Sequence, residues 1–175
     1  MIVKSVTQVG NSVIRKKSKK VVEVTSPKIK KIIKDLTDSM RHANLVGMAA
    51  PQIGYNLRIF VTEIRKTRFR KASQVDKLKI FINPKIISVS KNKISGYEGC
   101  GSVADAGLFG KISRSSKITV SAFNEQNIRF TLTTTGLLAR VIQHEFDHIE
   151  GIVFLDKLTD KHSLMSKVEY LKRKK

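Results

Sequence analysis

Residues 136–151 read GLLARVIQHEFDHIEG. Leu137, Leu138, Val141, Ile142 and Glu145 recur at helical spacing, so a helix is expected from Gly136 to about Ile149. Gly151 suits its C-terminal cap. Positions four apart on a helix lie one turn apart on the same face. His144 and His148 can therefore offer two imidazoles to one divalent metal ion. Glu145, beside the first histidine, stands where it can deprotonate water held at that ion. The stretch points to a metal-dependent hydrolase.

Working outward, Ser26-Pro27 is a helix start, with a capping serine and proline at the first helical position. Ile29, Ile32, Ile33, Leu36 and Met40 follow at helical spacing, so residues 27–42 read as an amphipathic helix. Gly47-Met48-Ala49-Ala50-Pro51-Gln52-Ile53-Gly54 is a run of mostly small residues where backbone can approach a ligand closely. Residues 58–64 read as a strand and 65–77 as a basic loop. Short strands are expected at 79–83, 85–90 and 93–97, with Asn83-Pro84 as a break. The glycine-rich stretch 98–116 reads as mostly irregular. Residues 117–123 and 128–134 alternate as strands joined by a turn at Asn124 to Asn127. Leu164, Val168 and Leu171 share one face of a short basic C-terminal helix. Strands clustered between helices argue for one α+β domain over residues 1–175, not for alternating βαβ units.

Composition sets the remaining bounds. Of the 175 residues, 41% are hydrophobic and 27% charged, an ordinary globular balance, while aromatics make up only 6% and tryptophan is absent. The core is therefore expected to be aliphatic. One cysteine, Cys100, cannot form an internal disulfide, which excludes a disulfide-stapled secreted scaffold. No apolar run is long enough to span a bilayer, so no membrane association is expected. The first residues lack a signal peptide's apolar stretch. Residues 1–22 are basic and acid-poor, as in an organelle transit peptide, but their valines and isoleucines continue as in folded chain. The expected location is the cytoplasm, or an organelle matrix in a eukaryote. The formal net charge of +20 favours polyanionic partners such as nucleic acid or ribosomes. A lysine-decorated solvated surface is the other reading, since the run Arg15 to Lys20 has no interleaved aromatic residues to stack on bases.

Two histidines leave a metal site incomplete, because zinc-type centres normally take three protein ligands and water. A metzincin-like continuation fails at Phe154. Glu169 lies at a distance suited to a thermolysin-like third ligand, but in a lysine-rich tail. His162 lies in the same polar tail, and His42 ends the first long helix. Cys100 sits in the glycine-flanked segment Glu98-Gly99-Cys100-Gly101-Ser102, which suits close approach to a metal. A thiolate with two imidazoles makes a three-ligand site for Fe, Zn, Co or Ni. On chemistry alone Cys100 stands only slightly ahead of the other third ligands.

Three segments taken in order resemble the signature motifs of the peptide deformylases: Gly47 to Gln52, Glu98 to Ser102, and Gln143 to His148 with Gly136 to Arg140 before it. The resemblance covers nearly the whole chain. It implies antiparallel sheets packed around a central metal-binding helix. It implies that Cys100, His144 and His148 bind one divalent metal ion, natively Fe(II) and often replaced by Zn, Ni or Co. It makes Glu145 the general base and later the general acid. Gln52 and the backbone N–H of Gly101 would face the oxyanion. Backbone around Val46 and Gly47 would pair with an extended peptide. Leu137 and Val141 would line the pocket for the first side chain, and Arg114 would lie near the peptide. The implied reaction removes the formyl group from the N-terminal formyl-methionine of nascent peptides and releases formate. The basic tail from Lys161 to Lys175 would then be suited to docking on ribosomal RNA.

The chain departs from the family's pattern at two places. Gly101 stands where the family usually has leucine, and Leu45 where it commonly has glycine. The first change implies a looser loop, and the second a side chain crowding the substrate strand. Three other readings are set beside deformylation. One is a generic metalloprotease with Glu169 as third ligand. Another is a deformylase-like protein of weak or altered activity. The last is a basic protein that binds nucleic acid or ribosomes on a deformylase scaffold.

Overall fold

The computed structural model describes residues 3–67 and 72–173. The basic loop expected at 65–77 lies partly outside them, as do the last two residues of the tail. A short helix α1 (Ser12–Arg15) precedes α2 (Pro27–His42). Strands β1 (Gly47–Ala49), β2 (Ile59–Ile64), β3 (Asp76–Val89), β4 (Lys93–Gly99), β5 (Leu108–Ser115), β6 (Lys117–Phe123) and β7 (Arg129–Thr135) follow. Helix α3 (Gly136–Ile149), β8 (Met165–Ser166) and α4 (Lys167–Lys172) complete the order.

Helix α2 starts as its sequence dictates. The Ser26 hydroxyl accepts the Ile29 N–H, and Pro27 occupies the first turn, where its missing N–H costs nothing. Ile29, Ile32, Ile33, Leu36 and Met40 form its buried face, packed with Met48, Ile59 and Val61. Five strands pair antiparallel in the order β1-β2-β3-β6-β7, which leaves β1 at one edge. The other sheet runs β4-β5-β8. Helix α3 contacts strands of both sheets. Its Ala139, Ile142 and Ile149 pack on Phe60, Phe81, Ile118 and Val120 of the larger sheet. On its other side, Gln143 donates to and accepts from the Ser115 backbone in β5, at 3.0 and 3.1 Å. The α+β architecture around α3 is therefore as expected, and aliphatic residues dominate the core.

Three details correct the sequence reading. The pieces at 79–83 and 85–90 are one strand. Asn83 takes a left-handed φ of 49°, and the register with β6 shifts between Ile82 and Lys85. This bulge absorbs Pro84, which has no N–H for the ladder. Residues 98–116 are not mostly irregular. Strands β4 and β5 pair from Lys93↔Ser115 to Gly99↔Phe109, and only the link around 100–107 is loop. The C-terminal helix is six residues long, Leu164 lies outside it and Val168 is exposed. An aromatic contact fastens it instead, with Tyr170 stacked on Phe109 at 4.2 Å between ring centroids.

Candidate metal centre

Helix α3 presents His144 and His148 from successive turns, with ring centroids 5.0 Å apart. Cys100 reaches the same point from the end of β4. Its sulfur lies 3.1 Å from Nε2 of His148. One donor atom from each of Cys100, His144 and His148 fits within a span of 4.8 Å. A soft thiolate with two imidazoles is a donor set for Fe, Co, Ni or Zn. Burial pushes the Cys100 thiol up, but the rings of His148 and His144 hold it well below its ordinary value. The donors therefore suit a cation.

A cation at these donors would also suit the buried Glu145 Oε2, which has no hydrogen-bond partner among the described residues. An unpaired buried carboxylate is costly, and burial raises Glu145 to about 7 against the opposing rings of His144 and His148. Gly47 makes room for this carboxylate, because a Cβ there would collide with it.

The Gln52 amide is oriented by its own loop. Its oxygen accepts the Ala49 N–H at 2.8 Å, which turns the NH2 group toward Cys100 Sγ at 3.8 Å and Ser102 Oγ at 3.3 Å. Gly101 lies between Cys100 and Ser102, and its N–H has no acceptor among the described residues. Val46 is half-buried before β1, and its carbonyl accepts the Glu63 N–H at 2.9 Å. The other side of β1 pairs with no strand among the described residues.

Behind the donors lies an ion network whose roles the sequence reading did not foresee. Glu98 accepts from His144 Nδ1 at 3.0 Å, from Arg114 at 2.8 and 3.0 Å, and from Arg140 at 2.7 Å. Burial pushes Glu98 up, but His144 and Arg114 outweigh it and hold the carboxyl well below its usual range. Arg114 also pairs with Asp147, which Lys157 reaches at 2.6 Å. Arg114 is thus 5% exposed and bound on both sides by carboxylates. A faint sequence signal existed. Arg140 and Asp147 are seven apart on α3, and Glu98 lies two residues before the cysteine.

A cavity of about 220 Å³ opens beside this network, lined by Ile94, Arg114, Leu137 and Arg140 among others. Leu137 lines it, whereas Val141 is buried and does not. Glu169 lies on α4, paired with Lys172 at 2.7 Å, and His162 and His42 are exposed. None of the three joins the cluster. Cys100→Ser is accordingly expected to weaken divalent-metal retention by more than the roughly 10- to 100-fold that loss of a supporting residue costs. Glu169→Gln should retain a full complement, with metal analysis after desalting as the check.

An α+β fold whose central helix brings two imidazoles to a thiol, beside a buried carboxylate, defines a metal-dependent hydrolase. Residues 3–163 match the family profile described as polypeptide deformylase. A peptide deformylase of Pseudothermotoga lettingae is 40% identical over 155 residues, covering 89% of this chain and 82% of the relative. The crystal structure of the Thermotoga maritima peptide deformylase superposes with a TM-score of 0.81 at 30% identity, covering 91% of this chain and all of that one. An Acinetobacter baumannii deformylase with Met-Ala-Ser bound superposes at 0.83 and 26% identity, covering 89% of this chain and 99% of that one. The chain belongs to the polypeptide deformylase family, metal-dependent hydrolases that remove N-terminal formyl groups.

Proposed function

We propose that this chain, acting as one catalytic domain over residues 1–175, hydrolyses the formyl amide of formyl-methionyl nascent peptides, releasing formate. The observation that carries this reading is the convergence of Cys100, His144 and His148 beside the unpartnered Glu145 carboxylate. Those three residues would hold one divalent ion, Fe(II) natively, with Zn, Ni or Co as substitutes. When bound, the ion supplies Lewis acidity, which acidifies water and polarises a carbonyl.

The chain's own residues do the rest. Glu145, buried and with no protein partner at Oε2 among the described residues, is placed to take a proton at a carboxylate oxygen and later return it to the leaving amine. The Gln52 NH2 and the Gly101 N–H would donate to the oxygen on which charge develops. The free edge of β1 at Val46 and Gly47 suits an extended peptide, which would add as a further strand. Leu137 and Val141 would meet the methionine side chain, Leu137 through the cavity it lines. Arg114 acts at one remove in this reading, holding Glu98 and so the ring of His144.

The location is cytoplasmic in this reading. No helix among the described residues is long and apolar enough to cross a membrane. The tail from Lys161 to Lys175 offers positive charge to ribosomal RNA. Formyl selectivity is the test. Formyl-Met-Ala-Ser should be cleaved about 10- to 200-fold faster than acetyl-Met-Ala-Ser, the range one extra carbon sets in a confined pocket. Equal rates for the two peptides would sink a formyl-specific site.

A further inference from the structure

We infer that Leu45 and Gly101 interlock, and that Leu45 is a positioning residue for the Gly101 N–H beside Cys100. This inference rests on the deformylase reading of the site. The backbone of Gly101 does not require glycine, because its φ lies outside the left-handed region that Gly10, Gly54, Gly136 and Gly151 occupy. The reason for glycine is room. A Cβ at position 101 would stand 2.8 Å from Cδ1 of Leu45 and 3.4 Å from Cγ1 of Val6. Leu45 therefore occupies the space a side chain at 101 would take.

Leu45 is well placed to press on that loop. Its N–H donates to the Met40 carbonyl at 3.0 Å, and its carbonyl accepts from Arg65 at 3.1 Å. Its side chain is partly buried against the α2 core. The loop beside it is strained: Ala104, Asp105 and Ala106 all hold left-handed φ angles of 47°, 49° and 58°, which non-glycine residues adopt at a cost and which surrounding structure must hold. The N-terminal segment holds it by hydrogen bonds. Val9 N–H donates to the Ser102 carbonyl at 2.8 Å. Gln8 donates to the Gly101 carbonyl at 2.9 Å and accepts the Asp105 N–H at 3.2 Å. Gly101 is thus held at its carbonyl by Gln8, while Leu45 and Val6 fill the space beside its Cα. Its N–H has no acceptor among the described residues and lies next to the Gln52 amide, whose Nε2 is 3.9 Å from the same Cβ position. On this inference the Leu45 side chain takes the place that a side chain at position 101 would fill.

The test is a double-mutant cycle on metal-loaded protein, with metal content, melting temperature, kcat and KM measured for all four proteins. Leu45→Gly empties the space, and Gly101→Leu overfills it. Each alone should lower kcat by about tenfold or more, short of the roughly 100- to 1000-fold cost of deleting an oxyanion donor, with KM little changed. The pair L45G/G101L should recover kcat to within about threefold of wild type and recover the melting temperature, because residues in contact are not additive. Additive losses in both readouts would overturn the interlock. Recovery of melting temperature with kcat still additive would make the pair structural only and overturn the positioning role. A wild-type protein that releases no formate would instead overturn the deformylase reading, and the wild-type corner of the cycle detects that separately.

Discussion

Glu145→Gln is expected to lower formate release by roughly 10²- to 10⁴-fold while leaving metal content unchanged. Glu145 is not among the three donors, and its Oε2 meets no partner among the described residues, so proton transfer is what the change removes. The amide keeps the volume that Gly47 makes room for, so the helix should not shift. Stability should move the other way. A carboxyl raised from its ordinary value of 4.5 to about 7 destabilises the fold as pH rises through that window, because the unfolded chain ionises first. Metal-free Glu145→Gln should therefore melt higher than metal-free wild type at pH 8, and at the same temperature near pH 4. Equal activity in the two proteins would remove Glu145 from the reaction.

Glu98→Gln is the second large effect. Removing one partner of a buried pair leaves charge without compensation and costs about 3–5 kcal/mol. The lower end applies here, because Arg114 keeps Asp147. His144 would also lose the carboxylate that fixes its Nδ1, a supporting contact worth about 10- to 100-fold in metal affinity. The sign with pH is set by the lowered Glu98 carboxyl. Its contribution is fully present above its ordinary value of 4.5 and is lost as pH falls toward the depressed one. The gap between the variant and wild type in denaturant unfolding should therefore narrow on acidification below that value. A variant as stable as wild type at pH 7, with undiminished metal affinity in a chelator competition, would show that the network is incidental.

The candidate site was legible to the extent that it is local. His144, Glu145 and His148 share one helical turn and its neighbour, and the helix follows from Leu137, Val141 and Ile142. Chemistry alone put Cys100 only slightly ahead as their third partner, and the resemblance of three ordered segments carried the rest, because spacing does not reveal a contact between the end of β4 and α3. The network behind them was illegible for the same reason. Arg114 was expected near the peptide, and its ion pairs with Glu98 and Asp147, which come from β4 and α3, carry no local signal. Strand β3 was read as two pieces because Asn83-Pro84 is a break in most local contexts. Here the Asn83 side chain holds Val21 through two backbone hydrogen bonds of 2.8 and 2.9 Å, and the strand continues past the bulge. Strand β5 was hidden by Gly110, Ser113 and Ser115, poor strand formers that pairing with β4 overrides. The proximity of Leu45 to the side-chain space of Gly101 was not legible either, because no local rule links two positions so far apart in sequence.

The central claim is hydrolysis of a formyl group at the Cys100, His144 and His148 cluster by way of Glu145. Its most direct test is a time course of formate and free methionyl amine from formyl-Met-Ala-Ser, using anaerobically prepared protein of measured metal content. The account predicts equal amounts of both products, at a rate proportional to bound metal. Protein carrying one metal ion per chain that releases no formate would contradict it.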